Sequence, residues 1–299
     1  MGSHENKSRM RQFLNWRQIL PSLITLGAML SGFLSILSVV WGFHSGALEA
    51  VVEMNRHYLN AARLIMLAMI LDGIDGNLAR WLKGTSEFGA ELDTYVDMTA
   101  FGIAPAILIF AVTLSPETPP LLRLLLPSAV ALSGVVRLAR FKVADPMRGQ
   151  GGYGGLPITA NAGWVALFVF ISQVPPTGDF FHEDLFSLQR GWFATVFLIG
   201  ILIFISLQVS NVRYPKPTKK AAIFIPSAIL VFLFVFLPKR YSIWTAVILL
   251  MLGLVYAVAG PMFVKGAELH QAHRERKRAS EPQPHKTKPH RRKRRSRRR

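Results

Sequence analysis

The sequence predicts an all-α integral membrane protein with about eight transmembrane helices. Three observations carry that expectation. Of the 299 residues 51% are hydrophobic, and they fall in runs long enough to cross a bilayer. Basic residues gather in alternate connections between those runs. Four aspartates stand inside otherwise apolar segments at helical spacing, as they would if they lined the interior of a helix bundle.

In chain order the runs lie near 19–42, 59–82, 92–114, 119–141, 157–175, 190–210, 220–237 and 242–264. The second and third qualify only if their aspartates face inward, away from lipid. Lys7, Arg9, Arg11 and Arg17 precede the first run, and Arg80 and Lys83 separate the second from the third. Arg137, Arg140, Lys142 and Arg148 surround the fourth connection; Arg213, Lys216, Lys219 and Lys220 fill the sixth. The remaining connections are poorer in positive charge, apart from the short Lys239–Arg240 turn. An even number of crossings with this bias places both termini, and the aspartates with them, on the cytoplasmic side of a bacterial-type cytoplasmic membrane.

No cleavable leader is evident, and the chain has no cysteine, which excludes disulfides and thiolate metal sites. The net charge of +18 is mostly local: from 274 to 299 there are 14 Lys and Arg against two Glu. Such a tail builds no core and is expected to lack regular structure, either solvated or against anionic headgroups. Nucleic acid is the weaker reading, because no aromatic residues are interleaved with the charges. The chain therefore divides into a basic N-terminal segment (1–18), a catalytic membrane domain (19–220), two additional transmembrane helices (221–265) and a basic tail (266–299).

The aspartates belong to one string, D-x2-D-G-x2-A-R-x8-G-x3-D-x3-D. Asp72, Asp75, Gly76, Ala79 and Arg80 share one helix face, and Gly89, Asp93 and Asp97 share a face of the next helix. A short connection around 84–86 makes the two helices antiparallel neighbours. Four carboxylates at close quarters need compensating charge. Oxygen ligands without His or Cys select hard ions, Mg2+ or Mn2+, and four aspartates suit a pair of metals of the kind that clamps a phosphoryl group. Gly76 and Gly89 clear space for a bulky ligand near the backbone, and the Arg80 fork suits phosphate oxygens. A lone proton-relay aspartate or a small-residue packing pair would not need this whole set.

The string resembles the CDP-alcohol phosphotransferase family at every fixed position, including the eight-residue gap before Gly89. FGAELDTYVDMTAFGIAP (88–105), RLARF (137–141), GGYGGLP (151–157) and SNVRYPK (210–216) resemble the members that use serine as acceptor. PSLITLGAMLSG (21–32) resembles the family's opening helix, with Ser22 and Ala28 where asparagine is common. Thr159 stands where that subfamily often has proline.

The resemblance implies a membrane enzyme, usually a homodimer, that moves a phosphatidyl group from CDP-diacylglycerol to L-serine and releases CMP. It implies that Asp72, Asp75, Asp93 and Asp97 hold two Mg2+ or Mn2+ ions and that Asp97 is the general base. It implies that Thr25, Gly76, Arg80, Ser86 and Gly89 contact the CDP-lipid. Arg137 and Arg140 are candidates for the serine carboxylate, against the alternative that they are ordinary positive-inside charges. The GGYGGLP stretch is either a loop over the serine entrance or a turn before the fifth helix. Two other readings remain open: the same chemistry on glycerol phosphate, inositol phosphate or choline, and a cation transporter, for which repeat halves and broken helices are missing.

Overall fold

A computed structural model describes residues 16–48, 51–113, 119–144, 152–173, 186–189, 191–215 and 221–280. Eight helical rods are seen among them. They are α1 (Trp16–Leu48), α2 (Val51–Trp81), α3 (Glu87–Asp97) continuing through a π-helical turn (Met98–Ile103) into α4 (Ala104–Val112), α5 (Pro120–Ala144), α6 (Ile158–Gln173), α7 (Gly191–Val209), α8 (Ala221–Phe236) and α9 (Lys239–Ser280). Five rods are long and apolar enough to cross a membrane: those built on α1, α3–α4, α5, α7 and α9. Two more, α6 and the 225–236 part of α8, are apolar but shorter. The protein is thus an integral membrane bundle. Several expected charges, among them Lys7, Arg9, Arg11, Arg148, Lys216, Lys219 and Lys220, lie outside the described residues.

The most extensive helix pairing is α1 on α2, and small polar residues explain it. Ser31, Ser35 and Ser38 recur on one face of α1 and donate to the carbonyls of Leu64 (2.8 Å), Ala61 (2.9 Å) and His57 (3.0 Å) on α2. Such interhelical bonds contribute about 0.6 kcal/mol each in lipid, and small side chains let the backbones approach. Closer still is the π-helical turn: a Cβ on Gly32 of α1 would stand 2.7 Å from the Ala100 Cα. The Ala104 N–H reaches back five residues to the Thr99 carbonyl, and Pro105 follows with no N–H to restore the α register.

Between α6 and α7 the contact is aromatic. Trp164 stacks on Phe204 (centroids 4.9 Å) and lies 4.3 Å from Phe168, which stacks on Phe193. A Cβ at Gly200 would meet the Trp164 ring at 2.2 Å, so only glycine fits there.

Two of the subfamily-like stretches meet in a way their composition does not announce. Gly152–Gly154 (β1) pairs antiparallel with Arg213–Pro215 (β2), Tyr153 opposite Tyr214. Gly155 closes the ribbon at φ +79°, and its Cβ would lie 2.4 Å from the Gln208 carbonyl. Within the glycine-rich stretch, residues 152–154 are therefore one strand of a ribbon fixed by β2, and 155–157 lead from it into α6.

The last two helices pack on this core at both ends. Arg63 of α2 donates to the Leu237 carbonyl (2.8 Å) and to Ser242 Oγ (3.0 Å), holding the α8–α9 turn, and lies over the Phe170 ring. At the other end, Tyr256 of α9 donates to the Pro215 carbonyl (2.9 Å) and Tyr214 donates to the Ala257 carbonyl (3.2 Å). The α9 helix continues to Ser280, through residues the composition assigns to the tail; AELHQAHRERKRA is rich in strong helix formers.

Candidate active site

The acidic hairpin forms as its spacing requires. On α2, residues 72–80 stay helical to Trp81, and the turn reverses through Lys83 at φ +53° and Gly84. A Cβ on Gly84 would overlap the Arg17 carbonyl at 1.9 Å, so the turn rests directly on the start of α1. Ser86 then caps α3: its Oγ accepts the Gly89 N–H at 3.0 Å. The capped helix carries Asp93 and Asp97 one turn apart toward α2.

Acceptor oxygens of Asp72, Asp75 and Asp93 all lie within 4.8 Å of one another. Asp75 is 4% exposed, and its Oδ2 is buried without a hydrogen-bond partner. A buried carboxylate oxygen left without a donor is costly unless a cation meets it. The donor set is oxygen only, which fits a hard divalent ion. Asp97 lies in the same electrostatic group: the carboxylates of Asp93 and Asp75 and the Arg137 guanidinium all act on its charge. Arg137 comes from α5 and is 6% exposed, so the one buried cation facing these carboxylates among the described residues also belongs to the wall of the site.

Beside them opens a cavity of about 870 Å3. Asp72, Asp93, Asp97, Gly76, Arg80 and Arg137 line its polar end. Arg80 is exposed and donates to Asn77 Oδ1 at 2.8 Å, an easily exchanged partner at the mouth. The other candidates, Thr25, Ser86, Gly89 and Arg140, are not part of the cavity lining. Thr25 is buried against Asp75 and donates to the Pro21 carbonyl (3.0 Å). Ser86 and Gly89 form the α3 cap. Arg140 reaches the opposite way, to the carbonyls of Val209 and Ser210 and to Asn211 Oδ1 (2.5 Å), tying α5 to the segment that leads into the ribbon. The two arginines of RLARF thus part company: Arg137 lines the cavity, while Arg140 grips the end of α7.

Three features escape sequence reasoning. Glu91 and Lys142, both cavity-lining, form an ion pair at 2.5 Å between α3 and α5. Glu91 had a signal, being in the acidic string, but nothing in its spacing points to a partner 51 residues away. A buried polar cluster joins α5, α6 and α7: Gln208 Oε1 accepts from Ser133 Oγ (3.1 Å) and from Asn161 Nδ2 (3.2 Å). Finally, the apolar end of the cavity is walled by Val231 of α8 and Leu249, Leu250 and Gly253 of α9, the two helices to which the sequence assigns no part.

Residues 18–203 match the model of the CDP-alcohol phosphatidyltransferase family. Among curated proteins, the chain is 33% identical over 204 residues to a CDP-diacylglycerol–serine O-phosphatidyltransferase of Methanocaldococcus jannaschii, covering 68% of this chain and 83% of that one. It is 31% identical over 265 residues to one of Mycobacterium tuberculosis, covering 84% and 82%. It is also 28% identical over 203 residues to one of Helicobacter pylori, covering 68% and 74%. The acidic hairpin lies wholly inside the matched region, and the chain belongs to the CDP-alcohol phosphatidyltransferase family.

Proposed function

We propose that the protein transfers the phosphatidyl group of CDP-diacylglycerol to the hydroxyl of L-serine, giving phosphatidylserine and CMP. The observation that carries this reading is one cavity that begins at Asp72, Asp93 and Asp97, with Asp75 clustered behind them, and ends between apolar helices. A CDP-lipid has the same division, a charged nucleotide on two long hydrocarbon chains. The relatives named above are serine-using enzymes of this chemistry.

Asp72, Asp75 and Asp93, with one oxygen of Asp97, would hold two divalent ions, Mg2+ or Mn2+. Bound there, the ions would neutralise the pyrophosphate and the charge that develops on departing CMP. Gly76 leaves room for the nucleotide; nothing lies within 4 Å of the position its Cβ would take. Arg80 exchanges Asn77 for a phosphate oxygen. Ser86 accepts from Gly89, which leaves its own O–H for the nucleotide phosphates, and Thr25 steadies Asp75 from behind.

The remaining oxygen of Asp97 takes the proton of the serine hydroxyl. The hydroxyl oxygen bonds to the phosphorus that bears diacylglycerol, and the bond from that phosphorus to the CMP oxygen breaks. Arg137, beside Asp97, receives the serine carboxylate and so aims the hydroxyl at the base. Arg140 acts one step removed by fixing the ribbon. Arg80 and Arg137 line the polar end and Lys83 lies in the turn next to it, and this positive charge supports a cytoplasmic placement of that end. A homodimer is the expected assembly, and cross-linking in native membranes tests it.

An acceptor panel tests the function. Membranes containing the protein, CDP-diacylglycerol and Mn2+ should release CMP with labelled serine and form a serine lipid. Product with glycerol phosphate but not serine would overturn the choice of acceptor. CMP release with none of the alcohols would overturn the enzyme.

A further inference from the structure

Four glycines of the membrane helices have a steric reason: a Cβ at Gly32, Gly42, Gly134 or Gly200 would collide with a neighbour at 2.2–2.8 Å. Two cavity-lining glycines do not. Neither Gly76 nor Gly253 has any atom within 4 Å of the position a Cβ would occupy. Glycine inside a helix costs roughly 1 kcal/mol relative to alanine, and no neighbour here accounts for it. At Gly76 the open space belongs to the nucleotide end. At Gly253 it belongs to the other end, on α9.

The surroundings say what the second space fits. Met66 lies six residues before Asp72 on α2, about 9 Å away along the axis. Trp164 and Leu167 of α6, Phe204 of α7, Val231 of α8 and Leu249 of α9 complete an apolar lining at that end. Gly253 and its neighbour Leu252 are exposed, so the lining is notched toward the outside of the bundle where α9 passes. The wall is held in place at both ends, by Arg63 at the α8–α9 turn and by Tyr214 and Tyr256 at the ribbon.

We propose that Gly253 is the lateral portal of the lipid site: one hydrocarbon chain of the CDP-lipid lies against the α8–α9 hairpin and leaves the bundle for the bilayer over this glycine. This rests on the reading of the substrate given above and adds to it a residue that sets which chains are accepted. A short chain ends inside the apolar lining. A long chain must cross the notch.

The test compares dioctanoyl and dioleoyl CDP-diacylglycerol as substrates for the full-length protein, reading CMP release at saturating serine. The quantity read is the ratio of kcat/KM for the long chain to that for the short chain, which cancels any difference in folded fraction. Gly253→Phe is expected to lower this ratio at least tenfold, and Gly253→Ala to lower it less. A ratio equal to wild type in Gly253→Phe overturns the portal. Should Gly253→Phe give no folded protein, Ala228→Phe on the facing helix is read by the same ratio with the same two outcomes. If the wild-type chain releases no CMP with either lipid, the functional reading fails instead. The portal is then scored by melting temperature: the dioleoyl lipid should stabilise wild type and not Gly253→Phe, and equal stabilisation overturns it.

Discussion

The two ends of the cavity are built on opposite principles. At the polar end the chemistry is carried by residues that are expensive where they stand. Four carboxylates in membrane helices each cost several kcal/mol to insert, and Asp75 keeps a buried oxygen with no protein donor. At the apolar end the residues are Met, Leu, Val, Phe, Trp and Gly, types that also stand exposed elsewhere on the membrane helices. The first end is defined by which residues are present, the second only by how far apart the helices stand. Changes at the polar end should therefore act on the reaction itself, and changes at the apolar end on which lipid fits.

Removing the divalent ions should have the largest effect. Chelation should reduce CMP release to background, and Mn2+ or Mg2+ should restore it. Full activity in the chelator would break the assignment of Asp72, Asp75 and Asp93 as ligands. Asp97→Asn keeps the shape and removes the base, and a positioned base is worth about 10²–10⁴-fold. The expected loss is in kcat; turnover within a few-fold of wild type would remove Asp97 from that role.

Next in size is the contrast within RLARF. Arg137→Lys keeps a charge beside Asp97 but loses the planar fork. A charge-assisted hydrogen bond is worth about 1.5–3 kcal/mol, so KM for serine should rise roughly ten- to a hundredfold. Arg140→Lys should leave KM for serine close to wild type, because its contacts are with Val209, Ser210 and Asn211 and not with the cavity. The reverse result would exchange the two roles.

The same contrast explains what could be read from the chain. The acidic string was legible because charge inside an apolar run is rare, and because i, i+3, i+4 and i+8 spacing converts directly into a shared helix face. Eight rods were legible from the apolar runs once the aspartates of the second and third were turned inward. The α2–α3 cap was half legible: Ser86 and Gly89 could be singled out, but not that they bind each other. What stayed hidden depends on partners distant in sequence. Nothing local tells Arg137 from Arg140, which sit three residues apart on α5; one faces Asp97 and the other the end of α7. The pairing of 152–154 with 213–215 joins stretches about 60 residues apart, and a three-residue strand has no periodicity to detect. The π-helical turn after Asp97 leaves no compositional trace except Pro105, which suits an ordinary helix start equally well. The hairpin's role was hidden most completely, since a wall of Leu and Val reads as membrane span whatever it encloses.

That hairpin gives a prediction of intermediate size, on stability. Arg63→Met preserves the stem and deletes the bonds to the Leu237 carbonyl and Ser242 Oγ. The Leu237 carbonyl keeps the Ser242 hydroxyl as a donor (2.9 Å), so the loss is that of two hydrogen bonds to a charged group and costs about 1–3 kcal/mol. The variant should melt at lower temperature in detergent. It should also lose more activity with long-chain than with short-chain CDP-lipid, because the wall moves and the aspartates do not. An unchanged melting temperature would mean that the hairpin is held by its apolar contacts alone.

The smallest effect is expected at the Glu91–Lys142 pair, although it sits at the cavity mouth and joins α3 to α5. Its side chains are 58% and 39% exposed, and water competes for both charges. Pairs of this kind contribute about 0–1 kcal/mol. Glu91→Gln removes one charge from the acidic string without touching the Asp72, Asp75 and Asp93 cluster. CMP release should therefore change by less than about fivefold, the factor that corresponds to 1 kcal/mol. The pair also adds no donor to Asp97 and no ligand to the cluster, so the serine KM should move little. A loss of a hundredfold or more would show that the polar end extends across the mouth to Lys142. The division between an end that reacts and an end that selects would then have to be redrawn one helix turn further out.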